Sequence, residues 1–428
     1  MYRHNNTMFS LSKGGLLDSL SYVLLRIALD VSYFVFISKV FLYQGYSINI
    51  SVATYSLSWF IYIFIVWGTP KKLKEASDFF FVIFVASLIA PLSSLYGMTG
   101  WTVEPLLAAT LCYFFIYFSI RYRWIKGVSF PTVRSGERIA LFISIFFIFV
   151  ALAWFFITGA IWNFNLNFLD VYAFREINGD LINVGFFAYL NNWVYKVFSI
   201  FVFIYALKHG NGILLVFAIG VQIVLFGVSS HKSVLFYPLI VFFIYWYFKD
   251  RDRLFFYPLI MSSIIFLSLA YYLVADNLVP ASMFIRRVFF VPALLAYEYW
   301  QFFQDNPHVY WSNSFLSGFL DYPYYDRITK MIGYSMGTEA SSNNGFLSSG
   351  YAHAGYMGIA FYAVTISFFL MIANVMARRG GDLWVAVAIL VVPLRGLVLS
   401  SDLPTTFFTH GLIVALLVLV VARKPNYE

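Results

Sequence analysis

The chain has 428 residues, of which 61% are hydrophobic and 11% charged, and its mean hydropathy is +0.78. A soluble domain averages about 25% charged residues, so this composition excludes a water-soluble globular fold. The single cysteine, Cys112, excludes a disulfide framework and a cysteine-based metal site, and it is expected to be a small buried hydrophobe.

The apolar runs predict an all-α polytopic membrane protein. A helix crosses the hydrocarbon core with about 20 mostly apolar residues, and by that rule the sequence contains about twelve transmembrane helices. Their approximate limits are 20–43, 48–67, 78–96, 103–120, 138–157, 184–206, 212–229, 233–248, 254–274, 353–376, 383–400 and 405–422. The seventh and eighth are short, so a merged or re-entrant segment is an alternative there. Arg26 and Asp30, four residues apart on the first helix, are expected to pair.

The basic residues predict the orientation of these helices, because loops rich in Lys and Arg remain in the cytoplasm. With a cytoplasmic N-terminus, the cytoplasmic segments contain Arg3, Lys13, Lys71, Lys72, Lys74, Arg121, Arg123, Lys126, Arg134, Arg138, Lys208, Lys249, Arg251, Arg253, Arg378, Arg379, Arg423 and Lys424. The opposite side contains only Arg175, Lys232, Arg286, Arg287, Arg327 and Lys330. Both termini are therefore predicted in the cytoplasm, and the net charge of +8 is a topology signal rather than a nucleic-acid-binding signal.

The chain is predicted to divide into three parts. Residues 1–274 contain transmembrane helices 1–9, with an external loop at about 158–183. Residues 275–352 form a large external loop, far longer than the connections of compact folds, in which the apolar stretch 289–299 indicates short helices along the membrane. Residues 353–428 contain helices 10–12 and a cytoplasmic C-terminus. This much chain on the outer face indicates that the function is exerted there.

Two groups of external cations are candidates for binding phosphate. Arg286 and Arg287 are adjacent, and the planar guanidinium matches phosphate oxygens. The alternative for the pair is an interfacial position near lipid headgroups. His231 and Lys232 interrupt an apolar region between two short helices, where a charge usually has a purpose, although Lys232 could instead pair with a loop carboxylate and His231 could be structural.

The external loop also contains candidates for binding sugars and for taking a proton. The run from Asp321 through Tyr324 to Arg327 combines aromatic rings with carboxylates, as sugar sites often do, or is an ordinary interfacial loop. The Asn343–Asn344–Gly345 stretch favours a tight turn. Candidate bases, which would accept a proton from a sugar hydroxyl, are His353, Glu339 and Asp276. Gly355 and Gly358 permit close helix contact.

The sequence lacks the motifs of several common enzyme classes. The sequence contains no P-loop, zinc motif, nucleophile elbow or Asp-x-Asp nucleotide-sugar motif, so nucleotide hydrolysis, a zinc site and a sugar-nucleotide donor have little support. No metal and no cofactor is expected, although a Mg²⁺ site needs only one or two carboxylates.

A set of loose motifs resembles O-antigen polymerases of the Wzy type. The motifs are Ser230-His231-Lys232-Ser233, Arg286-Arg287-Val288-Phe289-Phe290-Val291-Pro292, Tyr299-Trp300-Gln301-Phe302-Phe303, Asn344-Gly345-Phe346-Leu347 and Gly355-Tyr356-Met357-Gly358. Together they cover roughly residues 185–400, in the expected order around a large external loop.

The resemblance implies a metal-independent glycosyltransferase with a GT-C-like fold in the bacterial inner membrane. The donor would be a glycan on undecaprenyl pyrophosphate, the acceptor one repeat unit on the same lipid, and the bond would form on the periplasmic face. The family role of external arginines falls here on Arg286, Arg287, Arg327 and Arg175. Two departures concern the base: the residue at His353 varies among such proteins, and Ser349-Gly350 stands where relatives often have an acidic residue.

Other functions remain as alternatives. A lipid-linked-oligosaccharide flippase would need cations lining a central cavity, an O-antigen ligase would use a different acceptor, and a membrane acyltransferase would place a histidine such as His410 within a span. The expected partners are undecaprenyl-pyrophosphate-linked oligosaccharide and membrane lipid, and no nucleic acid. Such polymerases usually work with a chain-length regulator, and the sequence leaves open whether this chain does.

Overall fold

The computed structural model describes residues 13–122, 132–167, 171–378 and 382–423. Within these ranges the chain is helical throughout and contains no β-strand, which confirms the all-α prediction for this part of the molecule. Backbone groups in hydrocarbon must be satisfied within the protein, and a helix does so within one segment. Several basic residues used for the topology prediction lie outside the described residues: Arg3, Arg123, Lys126, Arg379 and Lys424.

Nineteen α-helices are found in the described ranges. They are α1 Lys13–Ser32, α2 Ser38–Val40, α3 Val52–Gly68, α4 Ala76–Phe84, α5 Ala90–Thr99, α6 Glu104–Arg121, α7 Gly136–Ile157, α8 Val171–Ile182, α9 Phe187–Trp193, α10 Ser199–His209, α11 Gly212–Ser229, α12 Lys232–Phe248, α13 Phe256–Ala275, α14 Leu278–Ala281, α15 Val291–Asp305, α16 Ile328–Ser335, α17 Phe346–Arg378, α18 Leu383–Leu399 and α19 Leu412–Ala422. Short π-helical segments at Tyr33–Ile37, Val85–Ile89, Val194–Phe198, Ser282–Phe290 and Thr405–Thr409 continue or precede several of them.

Eight helical segments are long and apolar enough to cross a membrane, as in a polytopic membrane protein: Leu17–Val40, Ala76–Thr99, Gly136–Ile157, Phe187–His209, Gly212–Ser229, Phe256–Ala275, Leu278–Asp305 and Phe346–Ala377. Four shorter apolar helices are α3, α12, α18 and α19. The predicted span at 103–120 lies in α6, which does not meet this measure. Twelve spans and a GT-C-like architecture stay predictions.

The chain forms two compact units. Unit 1 contains the described residues of 1–73, 81–118 and 252–364, and its core is α1 packed on α13 and α5. Arg26 and Asp30 form the predicted ion pair there, with 3.2 Å between Nη1 and Oδ2. The Arg26 side chain also donates to Ser58 and to the Ser93 carbonyl oxygen, and the Ser94 hydroxyl donates to Asp30. The pair is thus fully enclosed, as the cost of a charge in hydrocarbon requires.

Different segments of the chain meet at the two ends of unit 1. At one end the 41–51 connector lies beside the 100–103 connector, where the Asn49 N–H donates to the Met98 carbonyl oxygen at 2.8 Å. We call this the loop end, because residues 276–345 are joined to it. At the opposite end Arg253 pairs with Asp18 at 2.9 Å.

The helical run Leu278–Asp305 lies within the predicted external loop. Its early part contacts the 41–51 connector through Arg286 and Gln44, and its later part contacts the 100–103 connector through Tyr297 and Trp101, whose ring centroids are 5.1 Å apart. Both contacts are at the loop end. The run is long enough to cross a membrane, but these contacts favour a position along one end of unit 1.

Helix α17 is broken near its start. Ala354 and Gly355 have non-helical backbone angles, and Gly355 has φ +59°. The break folds the first turns back on the rest, so that a Cβ on Gly358 would lie 2.0 Å from the Gly350 carbonyl oxygen. Glycine is therefore required at this contact, in agreement with the predicted close packing.

Unit 2 contains the described residues of 74–80, 119–251 and 365–428, and α10 packs on α7, α11 and α18. At one end Lys208 pairs with Glu137 at 2.8 Å and with Asp382 at 3.0 Å. The turn at Ser230 and the segment around His410 form part of the opposite end. At the end that contains Lys208, the ammonium group is therefore paired with carboxylates.

The orientation predicts a labelling pattern. Cys112 is buried, so the natural chain gives little background with an impermeant thiol reagent. In intact cells Asn313→Cys is expected to react and Lys74→Cys to be protected, because both positions are exposed in the fold and differ only in the predicted side of the membrane. The reverse pattern would invert the topology.

The break in α17 predicts a second outcome. Alanine at Gly355 adopts a strained backbone at a cost of about 1–3 kcal/mol, and alanine at Gly358 forces the two chain segments apart. Both variants should lower the thermal unfolding midpoint of the detergent-solubilised protein. Gly220→Ala, where an added Cβ meets nothing within 4 Å, is the matched control and should not lower it. Equal midpoints for all three would contradict the described break.

Candidate functional site

Arg286 is held rigidly at the loop end of unit 1. Its Nε and Nη2 donate to the Gln44 side-chain oxygen at 3.0 and 2.7 Å, and its guanidinium carbon lies 4.4 Å from the centroid of the Phe41 ring. One edge of the fork is therefore used to fix its orientation. The Nη1 atom makes no hydrogen bond to any described residue, so this half-buried cation keeps a donor for an anion.

Arg287 is exposed, beside Arg286 in the π-helical segment Ser282–Phe290. A π-helical turn changes the direction of side chains within an otherwise α-helical run and is frequent at functional sites. The two predicted clamp residues are therefore not equivalent: one is fixed by its neighbours, and the other lies at the surface.

A carboxylate that the sequence interpretation missed belongs to the same region. Glu298 on α15 is half-buried, and its charge and that of Arg286 both influence the hydroxyl of Tyr46. Burial raises the pKa of Tyr46, which Arg286 lowers and Glu298 raises. Tyr46 is fully buried, and its hydroxyl has no hydrogen-bond partner among the described residues. The charges of Arg286 and Glu298 thus both reach Tyr46, but no hydrogen bond or ion pair among the described residues joins Arg286 to Glu298.

His353, one of the three predicted bases, is buried and held by contacts within the protein. Its side chain is 3% exposed and stacks on Trp311 with 4.9 Å between ring centroids. Its Nδ1 accepts a hydrogen bond from the Trp311 N–H at 3.1 Å. Tyr310 and Trp311 both have positive φ, 48° and 56°. His353 therefore holds a strained turn in place, and its Nδ1 is not available to a substrate in this conformation.

Asn344 is also occupied by internal contacts. Its amide nitrogen donates to the Pro292 carbonyl oxygen at 3.1 Å and to Ser348 at 2.8 Å, and its side-chain oxygen accepts from the Gly345 N–H. The residue ties the start of α17 to α15. The structure therefore places this predicted substrate-binding side chain inside unit 1.

The remaining loop candidates are spread over its surface. Asp321, Arg327, Glu339 and Asp276 are exposed, and no described contact joins them into one site. Tyr324 is half-buried, donates to the Pro307 carbonyl oxygen and packs near Phe302 and Phe303 in an aromatic cluster.

Asp326, in the described run 321–327, has a side chain that is held by hydrogen bonds. It accepts from the Arg327 N–H and from the Tyr334 hydroxyl, and these hydrogen bonds hold the pKa of Asp326 below its ordinary value. Asp326 is therefore anionic at neutral pH and shapes its own turn.

Unit 2 contains a cluster of basic groups. The Lys196 ammonium, in the π-helical segment Val194–Phe198, donates to the Asn192 side-chain oxygen at 2.8 Å. It is half-buried and forms no salt bridge with any described residue. A cation with neutral polar support alone is costly in an apolar region, so an anionic ligand would stabilise it.

Other basic groups lie close to Lys196. Burial and, to a smaller extent, the charges of Arg175 and Lys196 together lower the pKa of His231 to about 3, so its imidazole is neutral at pH 7. Arg175 donates to the Ser230 carbonyl oxygen at 3.1 Å, next to His231. The structure thus brings the predicted residues Arg175 and His231 together with Lys196.

His410 completes this set, which we call the basic cluster: Arg175, Lys196, His231 and His410. The His410 imidazole is within the electrostatic influence of Lys196 and His231, and its Nδ1 is 2.8 Å from the Ser401 hydroxyl. Lys232 is half-buried at the first position of α12, next to His231.

A small apolar pocket of unit 2 has room for little more than one water molecule. Its lining includes Leu394 and Leu397 on α18, and Leu403 and Leu412, which stand on either side of His410 in the sequence.

The two charged residues that sequence interpretation missed, Glu298 and Lys196, gave weak signals. Glu298 lies in the apolar stretch that predicted a surface helix, and a single acid there gives no pattern. Lys196 is isolated within an apolar run, and a charge in such a run was the available signal for both residues. His410 was considered only as the histidine of an acyltransferase, and its position near Lys196 and His231 was not predicted.

Comparison with family models, with curated proteins and with solved structures gives no match for this chain. In the described ranges no group of three or more His, Cys, Asp or Glu side chains is arranged to hold a metal ion. In its described residues the chain is thus an all-helical membrane protein with one cation-bearing region in each of its two units.

Removal of the charge of Lys208 should lower the stability of the protein, and removal of the charge of Lys196 should not. Lys208→Met leaves two carboxylates without their cation, and we expect a loss of about 1–2 kcal/mol. Lys196→Met removes a cation without a carboxylate partner among the described residues, so the unfolding midpoint should stay equal or rise. A fall as large as that of Lys208→Met would indicate that Lys196 is structural.

Proposed function

We propose that this protein is a glycosyltransferase that polymerises oligosaccharide repeat units carried on undecaprenyl pyrophosphate. The observation that supports this best is the presence of two cation-bearing regions: Arg286 at the loop end of unit 1, and the basic cluster of unit 2. Polymerisation uses two lipid-linked substrates, a donor and an acceptor, and each carries a diphosphate. A chain with two anion sites suits such a reaction.

The donor's diphosphate is assigned to unit 1. In the reaction the acceptor hydroxyl oxygen forms a bond to the anomeric carbon of the donor, the bond from that carbon to the diphosphate oxygen breaks, and the diphosphate leaves with the electron pair. Arg286, already oriented by Gln44 and Phe41, would stabilise the charge that develops on this oxygen with little rearrangement. Arg287, which is exposed next to Arg286, is a second cation for the same group.

The acceptor's diphosphate is assigned to the basic cluster of unit 2. Lys196 supplies a charge, and neutral His231 and His410 supply ring nitrogens that donate or accept hydrogen bonds.

Exposed aromatic side chains of unit 1 support sugar binding. Exposed rings of Tyr310, Tyr325 and Tyr356 lie on the chain between residues 306 and 358. Such rings pack on the C–H faces of sugars while their hydroxyls form hydrogen bonds. We place the loop end on the periplasmic side, as the basic-residue asymmetry predicts.

Purified protein supplied with lipid-linked repeat units tests the proposal. We expect polymer to form in excess EDTA at nearly its ordinary rate, because fixed cations stabilise the leaving diphosphate. Loss of activity in EDTA that returns with Mg²⁺ or Mn²⁺ would overturn the metal-independent mechanism and point to Asp276, Asp321, Asp326 and Glu339 as ligands. Transport of the lipid across vesicles without polymer would identify a flippase instead.

The assigned role of Arg286 predicts a graded series. Arg286→Ala should abolish polymer formation, and Arg286→Lys should be a poor substitute because an ammonium cannot both bind Gln44 through two donors and face a phosphate. Arg287→Ala is also expected to abolish polymer, while each variant still inserts. The amount of polymer per inserted protein is the measurement. Wild-type amounts of polymer from both Arg286→Ala and Arg287→Ala would rule out the proposed arginine clamp on the diphosphate.

A further inference from the structure

The imidazole of His308 in unit 1 forms no hydrogen bond with any residue that the structure describes. The residue is half-buried, and its Nδ1 is enclosed by the protein. Its Nε2 lies beside the break in α17, at 3.3 Å from the position that a Cβ on Gly355 would take. Because enclosed polar side chains are normally paired, a histidine that the protein leaves unpaired is a candidate for binding a polar ligand.

Direct ring contacts fix the orientation of this imidazole. It stacks on Phe303, with 5.5 Å between the ring centroids and 14° between the ring planes. The rings of Tyr310 and Tyr351 stand nearly perpendicular to it, with centroids at 6.1 and 5.8 Å. Since Phe303 and Tyr351 are buried, the imidazole is held from the side of the protein core before any ligand arrives.

Two exposed tyrosine rings lie around His308. Tyr310, which contacts the imidazole directly, is 52% exposed, and Tyr356, which contacts Tyr351 with 5.5 Å between ring centroids, is 55% exposed. The hydroxyls of these two exposed tyrosines form no hydrogen bond with a described residue. Aromatic rings pack on the C–H faces of sugars, while phenol and imidazole groups exchange hydrogen bonds with sugar hydroxyls.

The backbone next to His308 is strained. Tyr310 and Trp311 have φ values of 48° and 56°, a region that bulky residues rarely adopt. The Val309 N–H donates to the Ala352 carbonyl oxygen at 3.0 Å and the Tyr310 N–H donates to the His353 carbonyl oxygen at 2.8 Å, so the strained turn is tied to the start of α17. Strain of this kind is concentrated at ligand-binding and active sites.

We propose that His308, Tyr310, Tyr351 and Tyr356 form a saccharide-binding subsite, which we call the His308 site. The exposed tyrosine rings pack on a sugar ring, and His308 Nε2 forms a hydrogen bond with a sugar hydroxyl. Within the described ranges no hydrogen bond, ion pair or ring contact joins these four side chains to an Arg, Lys, Asp or Glu, so the site suits the uncharged sugars of a glycan and not its diphosphate. The identity of that glycan, part of a lipid-linked repeat unit, rests on the proposed polymerase function.

Binding of soluble glycan tests the His308 site without polymerisation. The probes are oligosaccharides of one and two repeat units, released by hydrolysis from the surface polysaccharide of the host, and the full-length protein is purified in a detergent without a sugar headgroup. Titration followed by saturation-transfer NMR should show binding to the wild-type protein. His308→Phe keeps the ring stack on Phe303 and removes both nitrogens, so its affinity should fall roughly tenfold, as expected for a lost hydrogen bond.

Two further variants make the binding test specific. Tyr356→Ala truncates an exposed ring, so it should fold and bind the oligosaccharides more weakly, and it carries the test if His308→Phe does not fold. Phe319→Ala removes an 85% exposed ring of the same loop and is the matched control, which should bind like the wild-type protein.

Kinetics with lipid-linked repeat units separate binding from chemistry. His308→Phe should lower kcat/KM mainly by raising KM, because the lost contact is made in the ground state and in the transition state alike. Arg286→Ala should lower kcat instead, because its contact strengthens as the diphosphate leaves.

Absence of oligosaccharide binding to the wild-type protein, or wild-type affinity in folded His308→Phe and Tyr356→Ala, would overturn the His308 site and leave the polymerase proposal intact. Equal weakening in Tyr356→Ala and Phe319→Ala would also overturn it and indicate that these rings anchor the loop at the membrane interface. A wild-type protein that binds the oligosaccharides through His308 and makes no polymer would support the site and overturn the polymerase proposal.

Discussion

A charged group inside a membrane protein must find its partner within the protein, because lipid tails offer none. The described chain follows this constraint closely. Arg26 is enclosed with Asp30, and Lys208 lies between two carboxylates. Against this background Lys196, Arg395 and Glu298 are exceptions, since each is half-buried without an ion pair among the described residues. Lys196 belongs to the basic cluster that we assign to a substrate.

The two regions are built in different ways, and the difference fits two roles. At the loop end Arg286 is held by Gln44 and Phe41, a fixed arrangement suited to stabilising a charge that appears only as a bond breaks. In unit 2, Lys196 has one neutral partner and imidazoles nearby, an arrangement suited to holding a charge that is present throughout. A donor and an acceptor that carry the same lipid diphosphate need one of each.

Local patterns in the sequence were sufficient for much of the fold and for little of the site. Helices follow from apolar runs, and the Arg26–Asp30 pair follows from a spacing of four residues on one helix. The position of His353 depends on the backbone of Trp311, 42 residues away, and no local pattern contains that contact. Glu298 was missed because its neighbours are apolar. The π-helical segments that carry Lys196 and Arg286 have no sequence signature, although they decide where these side chains point.

The central claim is that the chain joins lipid-linked repeat units to one another. Deletion of the gene in its host, followed by gel electrophoresis of the surface polysaccharide, tests this most directly. The account predicts loss of the ladder of long chains with retention of a single repeat unit on the core. Complete loss of repeat units from the core, as expected for a missing flippase or ligase, would contradict it, and so would an unchanged ladder.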